Sequence, residues 1–146
     1  MLIGVDPRLT PELLHALAAM GHGDQLTIVD ANYPAHAAGL ATPWGRCVDF
    51  GGTSTDALDA ILSLVPIDPF DPARPPVQAM QQVDRPDTLA PAVEDAVPLI
   101  RARGHEIAMT ERFAFYEAAA RSFVIIRTRE FRVYGNFIVR KGVITP

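Results

Sequence analysis

Helix-like and strand-like segments alternate along the 146 residues, and this alternation predicts an α/β fold with helices covering a largely parallel or mixed sheet. Two further observations support a single three-layer α/β/α domain spanning residues 1–146. No repeat or linker divides the chain. The apolar residues, 49% of the total against 21% charged, suffice for one core without disulfide staples, since a chain of about 150 residues hides roughly 70% of its unfolded surface.

The first element is a helix through "LTPELLHALAAMG". Thr10 is placed to cap it, Pro11 stands at the first helical position, and Gly21 can close it in a left-handed conformation. Leu13, Leu14, Leu17 and Ala18 recur at helical spacing and predict its buried stripe. "QLTIVD" follows as a short strand, with Asp30 at its carboxyl end. The segment "ANYPAHAAGLATPWG" reads as a long loop of the kind that carries function or subunit contacts. "STDALDAILSLV" is a second helix, with Ser54 as cap, Leu58, Ile61, Leu62 and Val65 on one face, and Pro66 as its end.

The tract "IDPFDPARPP" cannot be regular structure and leads into a strand at "VQAM". "DTLAPAVEDAVPLIRARG" has helical composition, with a kink or break expected at Pro98. "HEIAM" reads as a strand, Thr110 as the cap of a helix through "ERFAFYEAAARS", and "FVIIRT" and "VYGNFIVRKG" as closing strands. Phe113 and Phe115 are expected in the core, and Tyr134 and Asn136 on one face of the last strand.

The net charge of −4 disfavours a nucleic-acid or anionic-membrane partner, and no apolar run approaches membrane length. Twelve of the thirteen basic residues are arginine, which reads as codon bias. Cys47 is alone, so no internal disulfide can form, and its expected role is that of a small buried hydrophobe. With no signal-like N-terminus, the expectation is a soluble, cytoplasmic protein.

Chemistry concentrates around "GHGDQLTIVD". An unperturbed imidazole suits proton exchange near neutral pH, and the glycines flanking His22 leave room for a ligand. Asp24 could orient the ring or cap the turn. The same residues also make an ordinary helix-to-strand connector, and local spacing alone favours that plainer reading. A metal site is expected to be absent, because no paired-Cys or H-E-x-x-H spacing occurs. His15 reads as a partly exposed helix residue rather than a ligand, and His105, at a strand start, has no partner visible in sequence. Arg112 stands in a first helical turn, where a cation opposes the dipole, and Tyr116 follows on the same face. Arg127, Arg129 and Arg132 read as solvated or in subunit salt bridges rather than as a nucleic-acid patch.

Taken together, "MGHGD…VDANYPAH", "ERFAFYE" and "YGN…KGV" resemble the L-fucose mutarotase branch of the RbsD/FucU sugar-mutarotase family. The resemblance is strongest over residues 10–39 and 110–145. It implies an RbsD-like fold and α–β anomer exchange of a monosaccharide, L-fucose above others, by acid–base ring opening without a cofactor. His22 would be the catalytic acid, with Tyr134 or Tyr116, alone or through a water, as the partner base. Asp30, Arg112, Tyr116, Tyr134, Gly135 and Asn136 would bind the sugar. It also implies a ring-like homo-oligomer with sites near subunit contacts. D-ribose pyranase activity and non-catalytic monosaccharide binding are the alternatives. Asn32 departs from the histidine often found at that position in fucose-type relatives.

Overall fold

The computed structural model describes residues 1–146. Its elements run α1 (Pro11–Ala19), β1 (Gln25–Val29), α2 (Ala35–Leu40), β2 (Cys47–Asp49), α3 (Ser54–Leu62), β3 (Val77–Met80), α4 (Pro91–Arg101), β4 (Ala108–Thr110), α5 (Arg112–Ala119), β5 (Val124–Arg127) and β6 (Phe137–Arg140). The six strands form one mixed sheet in the order β2-β5-β1-β6-β3-β4. Five strands share a direction. β6 runs against them, between β1 and β3.

Alternation along the strands divides the core into two faces. Leu26 and Ile28 of β1 point with Val124, Ile126, Phe137 and Val139 toward α1, α3 and α4. Val29, Ile125 and Ile138 point the other way, toward α2 and α5. The α/β/α sandwich predicted from the sequence is the architecture observed. It is also why β1 lacks the usual half-polar alternation: a strand covered on both faces must be apolar on both. Thr27 is the polar exception, and its hydroxyl meets that of Ser122 at 2.6 Å.

Several boundaries differ from expectation, each for a local reason. Thr10 caps α1 by accepting the Leu13 N–H. The helix ends at Met20 in extended backbone, and Gly23 rather than Gly21 takes positive φ (84°). Ala16, not Ala18, completes the buried stripe, and Leu14 is only half-buried. The long loop contains α2, whose Gly39 lies so close to the Arg46–Cys47 backbone that no side chain fits. Thr53 rather than Ser54 caps α3, because Asp56 answers it in a capping box. Ser54 is buried instead.

Pro98 does not split α4: it lies on the solvent face, and the carbonyl of Glu94 that it leaves without a helical donor belongs to another exposed residue. β4 starts at Ala108 and takes in Thr110, so Glu111 becomes the cap of α5, accepting from the Phe113 and Ala114 N–H groups. Phe115 is buried, whereas Phe113 is exposed. Cys47 is only half-buried. Tyr134 and Asn136 precede β6 rather than lying in it.

Candidate functional site

The carboxyl ends of the parallel strands and the start of the reversed β6 meet at one rim, where ligands of open α/β sheets bind. Asp30 leaves β1 there and is almost fully buried. Its Oδ1 accepts the N–H groups of Asn32 and Tyr33 at 3.0 and 3.1 Å, an arrangement typical of aspartate-initiated turns. Its Oδ2 accepts from Asn136 Nδ2 at 3.1 Å, and its own N–H donates to Asn136 Oδ1 at 2.8 Å. Burial pushes the Asp30 carboxyl above the usual aspartate value, and these hydrogen bonds offset only part of that.

Asp30 and Asn136 form the floor of a hollow of about 220 Å³. Tyr33 and Tyr116 stack beside it with ring centroids 5.2 Å apart, and the Arg112 guanidinium lies 5.9 Å from the Tyr116 ring centre. Burial, with Tyr116 and Asp30 nearby, pushes the Tyr33 phenol up to about 12. Met80, Val133 and Tyr134 complete the walls. The cost of placing Arg112 at a helix start is reduced by the Glu111 carboxylate, which already occupies the N–H groups of that turn.

Tyr134 holds φ at +63°, the only non-glycine residue of the chain with positive φ. Such a conformation costs about 1–3 kcal/mol and persists only where the surroundings enforce it. Gly135 has ordinary φ but no space: a Cβ there would stand 2.7 Å from Glu130 Cγ and 3.1 Å from Ser54 Oγ. Tyr134, Gly135 and Asn136 therefore follow one another along a tightly packed turn into β6.

Asp30, Arg112, Tyr116, Tyr134 and Asn136 line the hollow together, with Gly135 between the last two. His22 does not join them within one chain. It precedes β1, whereas Asp30 follows it, so the five-residue strand, about 16 Å at ~3.3 Å per residue, separates them. At its own end of the sheet His22 is 51% exposed, with Nε2 3.6 Å from Asp68 Oδ1 and the ring edge-on to Phe70. Asp24 does not orient it. That carboxylate accepts the Gly21 N–H at 2.7 Å and caps the turn.

Asp68 is the acidic partner that the sequence reading missed. It lies in the proline-rich tract, 4% exposed, and its Oδ2 accepts from Arg140 Nε at 2.7 Å. Burial raises its pKa, but the Phe70 N–H and the Arg140 guanidinium more than reverse this, leaving the carboxyl below the usual range. Its one local signal was the turn-forming "IDPF", where Asp68 Oδ1 accepts the Phe70 N–H. Tyr33 and Met80 were also missed, because β1 and β3 come together only through β6.

His15 packs edge-on against Trp44, and His36 is exposed on α2. No three His, Cys, Asp or Glu side chains converge in metal-ligating geometry. Arg127 pairs with Asp49, and Arg132 with Glu130 and Asp95. No helix is long and apolar enough to cross a membrane.

The profile of the RbsD / FucU transport protein family matches residues 3–144. An L-fucose mutarotase of Actinobacillus pleuropneumoniae serotype 5b is 38% identical, over 100% of this chain and 99% of that protein. The crystal structure of protein Atu2016 superposes with a TM-score of 0.92 at 39% identity, covering 99% of this chain and 97% of that one. A fucose mutarotase from Streptococcus pneumoniae, solved in complex with L-fucose, superposes with a TM-score of 0.86 at 29% identity, covering 99% of this chain and all of that one. With nearly its whole length matched by that profile, the chain belongs to the RbsD / FucU family.

Proposed function

We propose that this protein is a sugar mutarotase that interconverts the α and β anomers of a monosaccharide, L-fucose above others. The observation that carries the reading is the clasp of Asp30 and Asn136 at the floor of a hollow walled by Arg112, Tyr116 and Tyr134. The full-length likeness to proteins named L-fucose mutarotase supports it.

Mutarotation opens a hemiacetal and recloses it on the other face of the carbonyl. The ring oxygen gains a proton while the anomeric hydroxyl loses one, and closure reverses both transfers. No electrons change hands, so the chemistry requires only a positioned acid and base, together worth roughly a hundred- to ten-thousand-fold. Asp30 accepts from sugar hydroxyls, while Arg112 and Asn136 donate to them. The Tyr134 phenol, held at the rim, exchanges the anomeric proton directly or through one water.

The acid is His22 of a second copy of the chain. Its exposure and its separation from the hollow in one chain support this, as does Asp68, a buried and ion-paired carboxylate beside the ring. Asp68 places a carboxylate beside that ring, its Oδ1 3.6 Å from Nε2. A homo-oligomer, ring-like if each contact joins unlike surfaces, follows from that division. The single cysteine suits a reducing compartment such as the cytoplasm.

The test is NMR saturation transfer between the anomer signals of L-fucose, D-ribose and D-galactose. Wild-type protein should accelerate exchange of L-fucose most, and His22→Ala should lose about a hundredfold or more. Exchange at the buffer rate with wild type, or full acceleration by His22→Ala, overturns the reading. A non-catalytic monosaccharide binder is the second reading, favoured by a hollow that is complete in one chain without His22. It predicts sugar affinity with no acceleration.

A further inference from the structure

Glu130 is 2% exposed, yet it touches neither the hollow nor His22. Its contacts lead instead to both sides of the site. The Glu130 carbonyl accepts the N–H of Ala31, the residue after Asp30, at 2.8 Å. Its side-chain methylene is the surface against which Gly135 packs. Its Oε1 accepts from Arg132 N at 3.0 Å and Arg132 Nε at 2.8 Å, and its Oε2 from Arg132 Nη2 at 2.9 Å and Ser54 Oγ at 3.4 Å. Arg132 is anchored in turn by Asp95 on α4, at 2.6 Å.

This arrangement supplies what the Tyr134 backbone lacks. A tyrosine at positive φ needs an external constraint, and the turn that contains it is pinned on either side, by Arg132 before and by Asn136 after. Arg132 is held in place by wrapping around the Glu130 carboxylate, with Asp95 gripping its far end. The turn is thus closed by a fork between residues two apart and backed by the starts of α3 and α4.

We propose that Glu130 is a positioning residue of the sugar site, its Arg132-clamped side chain holding Tyr134 in left-handed backbone so that the phenol faces the bound sugar. The inference rests on the mutarotase reading for its kinetic consequence, but not for its structural one. A phenol displaced by an ångström should cost exchange tenfold to about a hundredfold without removing the groups that bind hydroxyls.

The test uses the full chain labelled with ¹³C in its tyrosine rings. Only Tyr33, Tyr116 and Tyr134 contribute, and Tyr134→Phe identifies the third signal. Glu130→Gln preserves the shape of the side chain but faces Arg132 with an amide. Arg132→Lys keeps the charge, loses the fork, and is the milder change should Glu130→Gln fail to fold. Both should shift or broaden the Tyr134 signal while Tyr33 and Tyr116 stay in place. Both should lower kcat for L-fucose exchange about tenfold or more, with KM changed less than about threefold.

A Tyr134 signal unmoved in a folded variant overturns the proposal. So does a lowered Tm with kcat and KM both unchanged, the mark of a purely structural ion pair. If wild-type protein exchanges no anomers, the mutarotase reading fails and the tyrosine signals alone decide the role of Glu130.

Discussion

Asn136 grips Asp30 at two points, accepting its backbone N–H at 2.8 Å and donating to its Oδ2 at 3.1 Å. The grip joins the end of β1 to the start of the antiparallel β6, and both residues are almost fully buried. Asn136→Ala leaves the buried Asp30 N–H without an acceptor. The expected loss is about 1–3 kcal/mol in urea unfolding, with L-fucose affinity by calorimetry falling at least about tenfold.

Asn136→Asp tests the electrostatics of the same contact. The Asp30 carboxyl already lies above its ordinary value through burial, and a second carboxylate would raise it further. A raised carboxyl holds its proton more tightly when folded. Stability should therefore fall as pH rises from the ordinary aspartate value through the raised one. The deficit relative to wild type should be larger near about pH 7 than near about pH 4 in unfolding titrations.

The pair of Arg140 and Asp68 has the opposite sign. Both side chains are 4% exposed, and Arg140 also donates to the Arg74 carbonyl at 2.7 Å. Arg140→Met strands a buried carboxylate and should cost about 3–5 kcal/mol. In wild type, the lowered Asp68 pKa contributes stability that is present above the ordinary aspartate value and lost as pH falls through the lowered one. Circular dichroism during acid titration should show that contribution in wild type and not in Arg140→Met.

If His22 acts on the hollow of a second copy, two inactive variants should repair one another. His22→Ala and Asn136→Ala subunits, mixed in equal amounts and allowed to exchange, leave about a quarter of the sites with both residues intact. Saturation transfer should recover accordingly. No recovery in a preparation shown by mass spectrometry to contain mixed oligomers would overturn the assignment of His22 to a second copy's hollow.

Gly39 offers a test of packing alone. A Cβ there would overlap the backbone of Arg46 and Cys47, which cannot move without shifting β2. Gly39→Ala should lower stability by about 3 kcal/mol, read as a fall in Tm.

The parts of this molecule that were legible in its sequence are those where one local rule acts unopposed. Thr10 and Pro11 announce α1, and the apolar run before Asp30 announces β1 and its rim position. Where two rules compete across adjacent residues, the reading slips by one: Thr53 and Ser54 are both good caps, and only the Asp56 carboxylate chooses. Phe113 and Phe115 look alike in composition, and the helix turns one inward and the other outward. Asp68 and Glu130 were hidden for a different reason. Their partners, His22 and Arg140 in one case and Gly135 and Ser54 in the other, are mostly distant in sequence and come together only after the sheet forms.

The reversal of β6 has a consequence for how this chain can drift. The strand carries Asn136 at its entrance and Arg140 at its exit, so a single four-residue ruler calibrates both ends of the molecule at once. Inserting or deleting one residue there would swing one of those side chains to the wrong layer while leaving the other correct. The length of β6 is therefore constrained at both ends at once, by polar side chains as well as by its apolar core.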